Sequence, residues 1–220
     1  MPNTKLQAIL PYISEERQKK FEDALEQRSR RLCMVLENVY LSRNASAVMR
    51  SCDGMGVQDV HLIEDINPWV LNRGVSKGTP SWLTIHRYTN ADDPIAACIK
   101  ALRVNGYKIA VTSPHIDGYE ARSLPINKPV AVVMGTEFKG VSKRMMEAAD
   151  YNVLIPMRGM TESLNISVAA GIIIQRIMEN IRNLPPEDWQ LAPREKDAVM
   201  LDWALKSVKK SDAILKHLGL

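Results

Sequence analysis

The chain has 220 residues, of which 45% are hydrophobic and 25% are charged, and its net charge is +4. This length suits one sizeable core with extensions, and the composition is that of a folded protein rather than a disordered or fibrous one. The apolar runs are too short to span a bilayer and the start lacks the order of a signal peptide, so we expect neither a membrane protein nor an exported one.

The cysteines and histidines argue against two kinds of site. Cys33, Cys52 and Cys98 are odd in number and widely spaced, which disfavours a disulfide framework and a CxxC metal site. The four histidines are dispersed and no HExxH motif occurs. We therefore expect no metal, and a reducing cytoplasm as the compartment.

The first predicted element is a charged, solvent-exposed helix over 14–31. Its end carries Arg28, Arg30 and Arg31, a cluster that suits contact with RNA and equally suits an ordinary charged helix end. Residues 1–31 are assigned as an N-terminal helical extension.

From Leu32 onward, short apolar runs alternate with helical segments, which indicates an α/β domain with a mostly parallel sheet flanked by helices. The runs lack polar alternation, as expected of strands buried on both faces. This domain is assigned to 32–183. Its predicted strands are 32–39, 60–63, 83–88, 108–112, 130–134 and 152–156, and its predicted helices are 44–54, 93–104, 141–149 and 164–182.

A C-terminal helical extension is assigned to 184–220. It begins at Leu184-Pro185-Pro186, because proline lacks an N–H and disfavours helix in the residue before it. One stripe of the last predicted helix runs from Ala204 to Leu218, and we expect it to dock on the body of the protein or on a second subunit. Three lysines lie together elsewhere and suit either phosphate contact or a solvated face: Lys206, Lys209 and Lys210.

The familiar nucleotide-binding motifs are missing, since neither GxxxxGK[ST] nor a GxGxxG between a strand and a helix occurs. The nearest imitation is Asp53-Gly54-Met55-Gly56. It follows a predicted helix and precedes a strand, so we interpret it as a helix-ending turn. A Rossmann-type methyltransferase built around this turn is an alternative, but it needs the turn directly after a first strand.

Three segments that follow buried runs carry polar or glycine residues. Asn44 is a candidate N-cap with Arg50 in the second turn of its helix. Gly135-Thr136-Glu137-Phe138-Lys139-Gly140 places two glycines around a carboxylate, and glycine permits close backbone approach. Ser163-Leu164-Asn165-Ile166-Ser167 precedes the long apolar helix, where polar side chains cap free N–H groups and those groups also suit a ligand.

Together these residues resemble the three ordered motifs of the SpoU branch of the SPOUT RNA 2′-O-ribose methyltransferases, over roughly 32–182. The charged N-terminal helix and basic C-terminal helix look most like the TrmH type, whose members methylate guanosine 18 of tRNA. One departure is Ser42-Arg43, which stands where many relatives carry a proline.

The resemblance implies a SPOUT fold with a C-terminal deep trefoil knot, in which 135–140 and 155–167 interlace. It also implies S-adenosyl-L-methionine as cofactor, a tRNA substrate and a homodimer in which Arg50 of one subunit completes the other's site. The cofactor-binding residues that it implies are Thr112, Gly135, Ile155 and Leu164. The catalytic residues that it implies are Arg50, Asn44, Glu137, Ser163 and Asn165.

Two questions stay open at the level of sequence. Arg50 is either a general base or a clamp on the phosphate beside the target ribose, since a guanidinium hardly ever loses its proton. The substrate is alternatively ribosomal RNA or a tRNA anticodon loop, with the same chemistry. A further alternative for the function is a protein of a different class, an RNA-binding homologue without catalysis.

Overall fold

The computed structural model describes residues 4–39, 41–66, 78–89, 92–113, 116–136 and 139–220. The chain divides into two compact units. One is Arg30–Trp189, and the other joins the two chain ends, Met1–Ser29 and Gln190–Leu220. Within the described residues, no helix combines the length and the apolar character needed to cross a bilayer.

The unit Arg30–Trp189 is built on a seven-stranded sheet with the order β3-β2-β1-β6-β4-β7-β5. The pairings β1–β6, β2–β3, β4–β6, β4–β7 and β5–β7 are parallel, which confirms the predicted α/β fold. The strands are β1 Ser29–Glu37, β2 Val57–Ile63, β3 Thr84–Tyr88, β4 Lys108–Thr112, β5 Tyr119–Glu120, β6 Val130–Met134 and β7 Tyr151–Leu154.

Helices cover both faces of this sheet, and β1, β2, β4 and β6 are largely buried on both sides as predicted. The prediction is wrong for β3, which is half-buried at one edge of the sheet. Alternate residues of β1 point to opposite faces: Met34 joins the core cluster that also contains Val48, and Val35 joins the cluster that contains Leu102. The helices of this unit are α3 Ser42–Met55, α4 Pro94–Val104, α5 Lys143–Glu147, α6 Ile166–Arg182 and α7 Pro186–Trp189, with a 3-10 helix at Thr79–Trp82.

The boundaries differ from the prediction where local sequence is a weak guide. β1 starts at Ser29, three residues before the predicted start, and its first residues were assigned to a helix. β5, Tyr119–Glu120, was not predicted because two residues carry no periodicity. Met55 ends α3 and Gly56 follows as a left-handed cap with φ of 83°. The interpretation of 53–56 as a helix-ending turn is confirmed, and the Rossmann alternative loses its basis.

The unit formed by the chain ends is helical, and its helices are α1 Thr4–Ile9, α2 Glu15–Leu25, α8 Pro193–Ser207 and α9 Ser211–His217, with a 3-10 helix at Leu10–Tyr12. Trp203 of α8 lies in the core of this unit and is only 1% exposed. The centre of its indole ring lies 5.5 Å from that of the Phe21 ring. Lys196 pairs with Glu26 at 2.7 Å, which further links the C-terminal segment to the N-terminal one.

Two helix predictions in this unit are wrong. The predicted helix 14–31 is too long, because α2 ends at Leu25. The predicted last helix is two helices, α8 and α9, and the stripe from Ala204 to Leu218 is therefore interrupted. Lys210 has a φ of 59° between them, a left-handed conformation that an α-helix cannot include.

Candidate functional site

A cavity of about 780 Å³ lies beyond the carboxyl ends of three neighbouring strands, β6, β4 and β7. In open parallel sheets this is the place where ligands bind. Its walls come from the segments that follow these strands: Thr112 and Ser113 after β4, Gly135, Thr136 and Lys139 to Val141 after β6, and Ile155, Met157 and Glu162 to Ile166 after β7.

The four residues predicted to contact a cofactor all line this cavity: Thr112, Gly135, Ile155 and Leu164. Thr112 donates its hydroxyl to Val133 O at 2.9 Å, which fixes the end of β4 against β6. The structure thus brings these residues together, and their contacts with a cofactor remain a prediction.

The wall contributed by the segment after β6 depends on two glycines for different reasons. A Cβ on Gly135 would lie 2.1 Å from Gly140 C and 2.3 Å from Val141 N, so only glycine permits this approach. Gly140 has a φ of 65°. Thr136 and Gly140 exchange two backbone hydrogen bonds of 3.0 Å, which hold these two residues together. Glu137, predicted to be catalytic, lies outside the described residues.

The segment before α6 both caps this helix and borders the cavity. Asn165 Oδ1 accepts hydrogen bonds from Ser167 N at 2.9 Å and from Ser167 Oγ at 2.6 Å, and α6 starts at the next residue, Ile166. The predicted helix cap is therefore confirmed. Ser163 and Asn165 both line the cavity, which is where a catalytic role would place them.

Asn44 and Arg50 lie on α3, outside the set of residues that line the cavity. The prediction of Asn44 as the N-cap is wrong: α3 begins two residues earlier, and Asn44 N already donates to Leu41 O at 2.8 Å. Asn44 is buried in the first turn of the helix, whereas Arg50 is exposed. Arg50 therefore does not line the cavity of its own chain.

The arginines predicted to contact RNA have structural partners within their own units. Arg30 forms an ion pair of 2.8 Å with Asp59, and Arg31 donates to Ile126 O at 2.6 Å. Arg28 is 5% exposed and its guanidinium lies 5.2 Å from the centre of the Trp203 ring. These contacts give all three arginines a structural role that needs no RNA. Their binding of RNA stays a prediction.

The lysines predicted to contact RNA lie around the end of α8. Lys206 forms an ion pair of 2.6 Å with Asp202, one turn earlier in α8. Lys209 and Lys210 are exposed. Because α8 ends at Ser207, the three lysines do not share one helix, and a role in RNA binding remains a prediction for each.

Two charged residues of the cavity were missed as site residues: Lys139 and Glu162. Both lie inside or beside the motif segments, Lys139 between the two glycines and Glu162 directly before Ser163. Their sequence position was the available signal, but only the fold shows that both border the same cavity.

The strongly shifted pKa values belong to a different part of the sheet. Burial raises the pKa of the Cys98 thiol to about 12 and that of Cys33 well above its usual range. Burial lowers the pKa of His61 to about 4. Both thiols are buried, reduced and protonated at neutral pH, so neither is an activated nucleophile. Among the described residues, no group of three or more His, Cys, Asp or Glu could hold a metal ion.

Comparison with known proteins defines the class. The sequence profile of the SpoU rRNA Methylase family matches residues 31–175, and the chain belongs to this family of methyltransferases.

Individual relatives match almost the whole chain. A tRNA (guanosine(18)-2′-O)-methyltransferase of Borreliella burgdorferi is 35% identical over 90% of this chain and 88% of its own. An enzyme of the same name from Thermus thermophilus is 31% identical over 88% of this chain and 98% of its own. The crystal structure of the Aquifex aeolicus TrmH/SpoU tRNA modifying enzyme superposes with a TM-score of 0.78 at 29% identity, covering 89% of this chain and 98% of that one.

Proposed function

We propose that this protein transfers a methyl group from S-adenosyl-L-methionine to the 2′-oxygen of guanosine 18 in tRNA. The observation that carries the proposal is that described residues of two motif segments line one cavity together with Thr112: Gly135, Thr136, Lys139 and Gly140 after β6, and Ile155 and Ser163 to Asn165 after β7. The near full-length match to two tRNA (guanosine(18)-2′-O)-methyltransferases supports the choice of substrate. The buried free thiols suit a cytoplasmic enzyme.

The cavity has the mixed walls that this cofactor needs. Apolar side chains of Met134, Val153 and Ile173 suit an adenine ring, while the backbone of the Gly135 and Ile155 segments offers hydrogen-bonding groups for its edge. Bound S-adenosyl-L-methionine supplies an electrophilic methyl group on a sulfonium. The protein then has to align a ribose hydroxyl with that methyl group. It also has to accept the hydroxyl proton, or pass it to water, as the methyl group moves to the oxygen and leaves the sulfur as a neutral thioether.

Arg50 acts on the substrate as a cation in this proposal. A guanidinium stays protonated in proteins, and its fork binds a phosphate through two hydrogen bonds, so Arg50 holds the phosphate beside the target ribose. Asn44, in the first turn of the same helix, positions Arg50, and Glu137, Ser163 and Asn165 complete the site around the hydroxyl.

The active enzyme is proposed to be a homodimer. Since Arg50 does not line the cavity of its own chain, a second copy is needed to bring an Arg50 to each cavity. Apolar side chains beside the start of α6 suit such a contact, because Val168 is 52% exposed and Leu164 is 36% exposed. The loops 135–140 and 155–167 are proposed to interlace as a deep trefoil knot, and the fact that described residues of both loops line one cavity supports this.

The test is methyl transfer from labelled S-adenosyl-L-methionine to unmodified tRNA and, separately, to ribosomal RNA, with the modified nucleotide mapped. Label at the 2′-oxygen of guanosine 18, lost in Arg50→Ala, is the expected result. Label confined to ribosomal RNA would overturn the substrate, and RNA binding without any label would favour the homologue without catalysis.

Mixed dimers test the composite site. The variants Arg50→Ala and Asn165→Ala are each expected to be inactive. In a mixed dimer formed by co-expression, the Arg50→Ala subunit supplies an intact cavity and the Asn165→Ala subunit supplies an intact Arg50, so one of the two sites is complete. If pairing is random, activity returns to about a quarter of wild type. If Arg50 served the cavity of its own chain, no mixed dimer would hold a complete site and activity would stay absent.

A further inference from the structure

A second, smaller cavity of about 230 Å³ borders the site described above. It lies at the ends of β5 and β7, and its walls include Glu120, Arg158 and Arg176. Leu154 and Ile155 line both this cavity and the cofactor cavity. A ligand held here would therefore lie across a shared wall from the cofactor.

The two arginines of this cavity lack the partners that other arginines of the unit have. Arg30 pairs with Asp59, and Arg87 donates to both oxygens of Glu64 at 2.7 Å. Neither the guanidinium of Arg158 nor that of Arg176 makes a hydrogen bond or ion pair within the described part of the chain. Two unpaired guanidiniums that face one cavity suit a phosphate, whose oxygens they bind in a fork geometry.

The carboxylate of Glu120 limits which anionic ligands this cavity can bind. It lines the same cavity and, like the arginines, makes no side-chain hydrogen bond or ion pair with a described residue. A carboxylate repels a simple anion, so the ligand that fits has to present a hydrogen-bond donor beside its negative charge. A ribonucleotide does so, because its 2′-hydroxyl donates close to the phosphate, and a deoxyribonucleotide does not.

We propose that this cavity holds one nucleotide of the substrate RNA, with the phosphate on Arg158 and Arg176 and a ribose hydroxyl donating to Glu120. The proposal rests on the proposed function and extends it, since it assigns RNA contacts that the sequence placed on other arginines. The wall of Leu154 and Ile155 would then separate this nucleotide from the cofactor.

Substitutions that keep the charge but remove the fork test the phosphate contact. Arg158→Lys and Arg176→Lys should each raise KM for an unmodified tRNA transcript about tenfold, the effect of losing one charge-assisted hydrogen bond. The value of kcat and the affinity for S-adenosyl-L-methionine, measured without RNA, should stay unchanged, which also reports that the variants fold. The matched control is Arg122→Lys, an exposed arginine outside the cavity, for which wild-type KM is expected.

Glu120→Ala tests the hydroxyl contact by direct binding of RNA and DNA oligonucleotides of one sequence. It should weaken binding of the RNA several-fold and leave the weaker binding of the DNA unchanged. Wild-type KM in both Arg→Lys variants, or tighter RNA binding by Glu120→Ala, would overturn the assignment. If the wild type methylates no tRNA, the proposed function fails instead, and anisotropy measurements with the same variants and labelled tRNA still decide the role of the cavity.

Discussion

Gly135→Ala is the most direct perturbation of the cavity at the ends of β6, β4 and β7. The added Cβ would lie 2.1 Å from Gly140 C, and ordinary contact begins at 3.4 Å, so the backbone around Gly140 has to move by about 1.3 Å. That movement breaks the two 3.0 Å hydrogen bonds between Thr136 and Gly140. Each contributes about 1 kcal/mol, and the crowding adds about 1–3 kcal/mol, so we expect a loss of about 3–5 kcal/mol in the free energy of unfolding.

The same movement displaces one wall of the cavity. A misplacement of about 1 Å near reacting groups costs about 100-fold in rate, so methyl transfer should fall by that order, and cofactor affinity should fall with it. The assays are urea unfolding, equilibrium dialysis with labelled S-adenosyl-L-methionine, and methylation of tRNA.

Gly159→Ala is the matched control for this experiment. A Cβ on Gly159 meets nothing within 4 Å, and its φ is not positive. Its stability should stay within about 1 kcal/mol of wild type, because the change mainly reduces the entropy of the unfolded chain. Wild-type stability and cofactor affinity in Gly135→Ala, or equal losses in both variants, would refute the reasoning from close backbone approach.

Three further predictions concern other parts of the chain. Asn165→Ala should destabilise the protein by about 1 kcal/mol in urea unfolding through loss of the α6 cap, while Asn165→Asp keeps this stability; equal loss in both would contradict the capping role. Burial holds His61 neutral and lowers its pKa to about 4, whereas an unfolded histidine titrates near pH 6.5. The free energy of unfolding should therefore be unaffected by His61 above pH 6.5 and should fall by up to about 1.4 kcal/mol per pH unit as pH falls from 6.5 towards 4. Unfolding at pH 7.5 and 5 should show a steeper loss in the wild type than in His61→Gln, and identical slopes would refute it. Trp203→Ala should cost about 3–5 kcal/mol, measured by urea unfolding, because it empties the centre of the helical unit; a loss below about 1 kcal/mol would show that the site collapses freely.

Much of the fold and of the cavity at the ends of β6, β4 and β7 could be predicted from local sequence. Uninterrupted apolar runs such as 130–134 became strands buried on both faces, since such a run is stable only with cover on both sides. Asn165 caps α6 because its side chain reaches N–H groups within the next two residues. Gly135 was recognisable as a point of close approach, and Ser163 to Asn165 as part of a site, because each lies directly after a predicted strand or before a predicted helix.

Only the tertiary structure shows which arginine side chains have partners among the described residues. Arg28, Arg30 and Arg31 form the most basic cluster of the N-terminal segment, yet Trp203, Asp59 and Ile126 O hold them, partners that lie between 29 and 175 residues away in the chain. No local sequence signal distinguishes Arg158 and Arg176, and only the fold brings them to the same cavity. Helix and strand signals depend on neighbouring residues, whereas the partner of an arginine depends on which distant segment the sheet order brings next to it.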